Sequence, residues 1–239
     1  MAPRNGRASS PVSLVGSDAD VAFYQRQLAH LGQPILLLGC ANGRLAWELC
    51  AVVPEVLGVD PSPVMISLAE NTRPLRPGDR RERVRFLSAD LRSLRLPEKF
   101  GAVLAPHNAL ALMPSVVDLE AMVATARHHL RPGGLLVVEA SNPRPPPGGS
   151  AAEDEGAHRL RLAGHRAGFA AHLREGRRGA SGSADAIHRL RLRQYFPWEL
   201  DAVLRGAGFE PTARYGYYDE KPFDPQDALQ LVVAFLRDR

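Results

Sequence analysis

Between positions 34 and 140, short and nearly unbroken apolar runs alternate with longer amphipathic segments. The runs are PILLLG (34–39), EVLGVD (55–60), RVRFLSAD (83–90), AVLAPH (102–107) and GLLVVEA (134–140). A strand covered by helices on both faces has no polar side to present. Continuous rather than alternating hydrophobicity therefore marks a parallel sheet. The intervening segments GRLAWELCAV, SPVMISLAENT and SVVDLEAMVATARHHL read as helices. In the last, Val116, Leu119, Met122, Val123 and Ala126 keep the spacing of one helical face, and RPGG (131–134) is expected to stop the helix and open a strand. Strand–helix alternation of this kind predicts an α/β fold with a doubly wound sheet.

The composition then shifts. NPRPPPGGSAAEDEG (142–156) suits neither a helix nor a central strand and reads as a linker. AHRLRLAGHRAGFAAHLREG and DAIHRLRLRQYF alternate apolar residues with Arg or His at strand period, and are expected to turn back on each other around 174–186 as an antiparallel pair. PWELDAVLRGAGF (197–209) is a helix, with Pro197 in its first turn and Gly206 and Gly208 at its close. PTARYGYY and ALQLVVAFLRD supply two last strands. The expected organisation is a flexible tail over 1–16, an α/β domain from 17–141 and 196–239, and a linker plus small antiparallel insert over 142–195 that serves as lid or dimer surface.

Several classes are disfavoured. No apolar run approaches the roughly 20 residues that cross a bilayer, and the first residues hold Arg without the apolar core of a secretory signal. The two cysteines, Cys40 and Cys50, are too few for a zinc site and are expected as reduced thiols in a cytoplasmic protein. The net charge of +4, carried almost wholly by Arg, does not establish a nucleic-acid partner. Leu160 and Leu162 alternate with Arg159 and Arg161, and Leu190 and Leu192 with Arg189, Arg191 and Arg193. That alternation favours the solvated face of a small sheet over a stripe for RNA.

A strand ending at Gly39, a turn through Cys40, Ala41, Asn42 and Gly43, and a helix from Arg44 place backbone N–H groups at a helix start. Small residues there let a ligand approach the main chain. Asp60 ends the next strand, 21 positions after Gly39. An acid about 20 residues beyond such a turn is placed to accept hydrogen bonds from ribose hydroxyls. A dinucleotide fingerprint would need Gly at 39, 41 and 44, but 41 is Ala and 44 is Arg. S-adenosylmethionine carries no phosphate and asks less of the turn.

The chain resembles the class I S-adenosylmethionine-dependent methyltransferase family in four motifs in order. LLLGCANGRLAWEL is similar to its glycine loop and VLGVDPSPVMISLA to its ribose-binding strand and helix. VRFLSADLRSL is similar to its adenine-binding turn and HHLRPGGLLVVE to its fifth strand. The remainder, RLRQYFPWELDAVLRGAGFEP to YGYYDEKPFD, resembles small-molecule members with an antiparallel insert after the fifth strand, sugar N-methyltransferases among them. The resemblance implies a Rossmann-like, mostly parallel seven-stranded sheet with antiparallel C-terminal strands. It also implies a cofactor site in which Gly39, Cys40, Ala41, Asn42 and Gly43 line the methionine end and Asp60 and Pro61 hold the ribose. Met65, Asp90 and Leu91 border adenine, and Pro106, His107 and Asn108 lie where the methyl leaves. Tyr24 resembles an aromatic that caps the cofactor. Two positions depart from the pattern. Leu37 stands where the family has Asp or Glu, which the resemblance implies orients the loop or the cofactor amine, with no compensating acid apparent, and Ala41, usually Gly, is expected to ask for a negative φ.

Methyl transfer from a sulfonium is an in-line displacement governed by positioning. His107 is the candidate base or substrate contact, with Tyr24 as a second catalytic candidate and Asn108 and Tyr217 on the acceptor side. His128 and His129 are expected on the surface. Cys40 in the cofactor loop is misplaced for C5-pyrimidine chemistry, APHN is not a base-amine motif, and residues 105–108 offer no carboxylate for a metal-assisted transfer. The expected activity is methyl transfer to N or O of a small metabolite, without a metal or membrane, and with a homodimer possible. The alternatives are an RNA or protein methyltransferase using the Arg-rich insert, and a non-catalytic subunit that keeps the fold.

Overall fold

The structure, a computed structural model, describes residues 17–143, 169–174 and 187–237. The expected tail over 1–16, Leu160, Leu162 and their neighbouring arginines lie outside the described residues. The chain runs through α1 (Asp18–Leu28), β1 (Ile35–Leu38), α2 (Arg44–Leu49), β2 (Val56–Asp60), α3 (Pro63–Asn71), α4 (Gly78–Arg83), β3 (Val84–Ser88), β4 (Phe100–Ala105), α5 (Val116–His129) and β5 (Leu130–Ser141). It continues with β6 (Phe169–Arg174), β7 (Ile187–Leu192), α6 (Pro197–Gly206), β8 (Phe209–Tyr215) and β9 (Leu229–Leu236).

Seven strands form one sheet in the order β3-β2-β1-β4-β5-β9-β8. The first five are parallel, and β9 runs antiparallel to both β5 and β8. β6 and β7 pair antiparallel as a separate two-stranded sheet, with Phe169 opposite Leu192. The unbroken apolar runs have the expected cause: Leu36 and Leu38 point into one core, while Ile35 and Leu37 point into the other. α5 and α6 cover the first face through Leu119, Met122, Leu200 and Leu204, and α1 and α2 cover the second through Phe23, Tyr24, Leu45 and Trp47. The order reverses between β1 and β4. In sheets of this kind ligands bind outside the carboxyl ends of the strands at that switch.

Two local readings are corrected. The helix stops ahead of RPGG as expected, but β5 begins at Leu130 rather than at 134, so RPGG lies inside the strand with Gly133 at φ 67, and the pairing with β4 is irregular between Phe100 and Ala102. His129 is fully buried rather than on the surface, because it continues the stripe of Met122 and Ala126 by one more turn; His128 is exposed. Nδ1 of His129 donates to the Thr125 carbonyl (2.8 Å), and Nε2 accepts the Leu96 N–H (2.9 Å).

This arrangement requires a neutral ring, and burial, opposed by the Thr125 bond, moves the His129 pKa below its usual 6.5. On acidification the unfolded chain therefore takes the proton first. The stability contributed by His129 is complete above about pH 6.5 and is lost as pH falls through the lower folded value. Denaturant titrations at pH 7.5 and 5.5 should show a smaller loss for His129→Gln than for the unmodified protein.

The insert returns to the body at Arg193, whose N–H donates to the Ala111 carbonyl (2.9 Å). Tyr195 follows, buried in the core with its hydroxyl on the Met113 carbonyl (2.6 Å). Arg193 itself is paired with Glu199 (2.7 Å) and lies over the Tyr195 ring.

Candidate active site

The turn after β1 is held by two bonds to β2, from the N–H groups of Gly39 (2.8 Å) and Cys40 (3.0 Å) to the Val59 carbonyl. Both glycines are dictated by what surrounds them. A Cβ on Gly39 would lie 2.7 Å from that of Ala109, and one on Gly43 would lie 2.5 Å from Phe86 Cζ and 2.9 Å from Ala69 Cβ. Their φ angles, 85 and 76, fall in the left-handed region that glycine tolerates. Ala41 corrects the expectation of a negative φ, since it sits at φ 48. The Asp60 carboxylate fixes it there by accepting the Ala41 N–H on Oδ2 (2.9 Å). Oδ1 accepts the Ser62 N–H (2.9 Å), so one buried acid fastens the turn after β1 to the turn after β2. A carboxylate has about four acceptor positions, which leaves lone pairs for a diol.

The rim continues along the carboxyl edge. Asn42 and Pro61 are exposed, and Ala41 and Met65 are half-buried, with the Met65 N–H on the Ser62 hydroxyl (3.4 Å). Asp90 is exposed. Its carboxyl is held below the usual range by hydrogen bonds from the Arg92 side chain (2.7 Å) and from the Arg92 N–H (2.9 Å). Leu91 beside it is buried. Cys40 turns its thiol beneath the loop toward Gly58. Burial, and after it the Asp60 charge, push that thiol up to about 12, so Cys40 is not a thiolate nucleophile at neutral pH.

Past β4, Pro106 is buried and the next two residues, His107 (φ 53) and Asn108 (φ 57), are both left-handed. Each costs about 1–2 kcal/mol for an L-residue, and such strain collects at functional sites. Asn108 is secured by its side-chain oxygen, which accepts the Ser141 N–H (3.0 Å). His107 meets two residues that sequence reasoning missed. Its Nε2 lies 2.8 Å from Asp20 Oδ2 and 3.1 Å from Arg44 Nη2, and Arg44 also pairs with Asp20 Oδ2. The carboxylate only accepts and the guanidinium only donates, so the Asp20 bond takes Nε2 protonated while the longer Arg44 contact takes it bare; with the shorter Asp20 bond made, Nδ1 is the nitrogen able to take a proton. Asp20 is fully buried; burial would raise its pKa, but the bonds from His107 and Arg44 outweigh that and bring it below the usual value. Its other oxygen, Oδ1, has no hydrogen-bond partner among the described residues.

Tyr24 does not lie open as a cap over a ligand. It is sealed in the core between α1 and the sheet, and its hydroxyl donates to Glu139 Oε2 (3.1 Å). Burial first, and then Glu139, raise the pKa of Tyr24 well above the ordinary phenol value, so it is no base at neutral pH in this arrangement. Tyr218 is also raised, by burial and then by Glu139, while Tyr217 beside it is 45% exposed. Glu139 is a further buried acid that sequence reasoning missed; it lay inside a run read only as strand. Leu37 is wholly buried among apolar neighbours.

Residues 35–134 match the protein family described as a methyltransferase domain. A curated relative, the dTDP-3-amino-3,4,6-trideoxy-alpha-D-glucopyranose N,N-dimethyltransferase of Streptomyces venezuelae, is 26% identical over 121 residues, which span 51% of this chain and 48% of that protein. The chain thus spans about half the length of that relative. The fold is that of the CcbJ methyltransferase from Streptomyces caelestis, at TM-score 0.70 and 23% identity over 92% of this chain and 89% of that one. It is also that of an S-adenosylmethionine-bound amino pentose methyltransferase from Micromonospora echinaspora involved in calicheamicin biosynthesis, at TM-score 0.59 and 24% identity over 92% and 90%.

Proposed function

We propose that residues 35–134, which match a methyltransferase domain, form a class I S-adenosylmethionine-dependent methyltransferase domain, and that the protein transfers the methyl group of that cofactor to a nitrogen or oxygen of a small metabolite. The observation that carries the reading is Asp60, a buried acid at the end of β2 bonded to the Ala41 N–H across a glycine turn at the sheet's switch point. The residues fit the cofactor. Asp60 retains acceptor capacity for a ribose diol beyond its bonds to Ala41 and Ser62, and Ala41, Asn42, Pro61, Met65 and Asp90 form a partly accessible rim for the rest. When bound, the cofactor supplies an electrophilic methyl and leaves as S-adenosylhomocysteine.

The chain's own part is to position the acceptor and to remove its proton. His107 Nδ1 takes that proton, and Asp20 holds the ring through Nε2. An amine acceptor fits this division of labour, since it must be neutral to attack, and both the dimethyltransferase of Streptomyces venezuelae and the amino pentose enzyme are named for amino sugars. The reading of 142–195 as a lid or dimer surface falls mostly on residues outside the described ones.

The experiment is calorimetric titration with S-adenosylhomocysteine, followed by a screen of labelled methyl transfer to nucleotide-linked amino sugars and other small amines and alcohols. No heat at millimolar ligand would remove the reading. His107→Asn keeps a donor toward Asp20 and tolerates a left-handed φ. It should lower kcat about a hundredfold to ten-thousandfold, the usual worth of a positioned base, with the S-adenosylhomocysteine Kd unchanged. Undiminished turnover would show that another group takes the proton.

A further inference from the structure

We propose that Asp20, on α1, does for the cofactor's α-ammonium what the acid absent at Leu37 does in the family, its unpartnered Oδ1 being the acceptor; this rests on the function proposed above. The argument starts from an imbalance. Asp20 is fully buried, yet Arg44 and His107 both converge on Oδ2, and Oδ1 has no partner among the described residues. A buried carboxylate oxygen without a donor is costly, and a cationic N–H is the donor that relieves it most. The place is the right one. His107 follows β4 and Arg44 follows Gly43, so Asp20 sits against the carboxyl ends of the two strands that flank the switch, beside the turn assigned to the methionine end.

Leu37 shows why the acid had to come from elsewhere. It is buried in the core on the α1 side of the sheet, the same side from which Phe23 and Tyr24 bring α1 down onto β1. A carboxylate carried by α1 reaches that face from above without placing a charge inside the strand layer. Arg44 is partly exposed, unlike Asp20, and pairs with Oδ2 together with His107, so Oδ1 is the oxygen left for the ammonium.

The test compares two ligands that differ only in the amino-acid portion. Calorimetry with the unmodified protein and with Asp20→Asn should use S-adenosylhomocysteine and 5′-methylthioadenosine, which keeps adenosine but has no ammonium. The variant should lose about tenfold to a hundredfold in affinity for the first, as one charge-assisted bond requires, and bind the second within threefold of the unmodified protein. Equal losses for both ligands, or no loss for either, would overturn the proposal. Should the variant not fold, the unmodified protein is titrated with S-adenosylhomocysteine lacking only its amino group; an affinity equal to that of the parent compound would overturn it as well. Failure of the unmodified protein to bind either adenosine ligand is a different result, and counts against the methyltransferase reading itself.

Discussion

Asp60→Ala should reduce cofactor affinity by at least about a hundredfold. Two effects combine. The ribose diol loses a charged acceptor, and hydrogen bonds to charged groups contribute about 1.5–3 kcal/mol each, so two of them exceed the roughly 2.7 kcal/mol that corresponds to a hundredfold. The Ala41 and Ser62 N–H groups also lose the carboxylate that fastens their turns together, and Ala41 no longer has what fixes its left-handed φ of 48. The measurement is the S-adenosylhomocysteine Kd, with circular dichroism to confirm the fold. A Kd within threefold of the unmodified protein would strip Asp60 of the ribose role and leave it as a loop fastener.

The second large effect concerns stability. Gly43→Ala places a methyl 2.5 Å from Phe86 Cζ and 2.8 Å from Cε1, with Ala69 Cβ on the other side at 2.9 Å. Phe86 cannot simply rotate away, because its ring is packed edge-on against Trp47 at 5.5 Å between centroids. Overpacking of this kind costs about 1–3 kcal/mol, and the left-handed φ of 76 adds about 1–2 kcal/mol more for an L-residue. A loss of about 3 kcal/mol should lower Tm by about 6–12 °C in a chain of this size. Thermal unfolding of the variant reads it directly, and a shift below 2 °C would mean that α2 and β3 yield more easily than their packing indicates.

Most of the sheet was legible because β1, β2 and β4 carry a signature of their own, an apolar run closed by Gly39, Asp60 and Pro106 in turn. The site was legible where a motif is local: Gly39 to Gly43 and Asp60 are separated by one strand–helix unit, so spacing alone pairs them. The elements that escaped are those whose meaning depends on distant partners. α1 was written in the sequence as Asp20, Phe23, Tyr24 and Leu28, an i, i+3, i+4, i+8 stripe that the structure buries throughout. A carboxylate on such a stripe is the anomaly to look for, since a buried acid needs a cation that spacing cannot supply. His107 read correctly as lying past β4, but its bond to Asp20 joins positions 87 residues apart. His129 was readable from periodicity alone and was missed by stopping the stripe one turn early.

The Glu139 carboxylate receives Tyr24 from the first helix and abuts Tyr218 near the far end of the chain, and Arg26 reaches the same distal segment through Glu220 and the Tyr218 carbonyl. During vectorial synthesis the opening helix therefore emerges long before its anchors exist. Tyr24 waits through four strands for Glu139 on β5, and the Arg26 contacts form only when residues 218–220 follow β8 out of the ribosome. Nascent chains truncated ahead of position 218 would carry the glycine turn, Asp60 and the partners of Asp20, but lack the Arg26 contacts that tie α1 to residues 218–220.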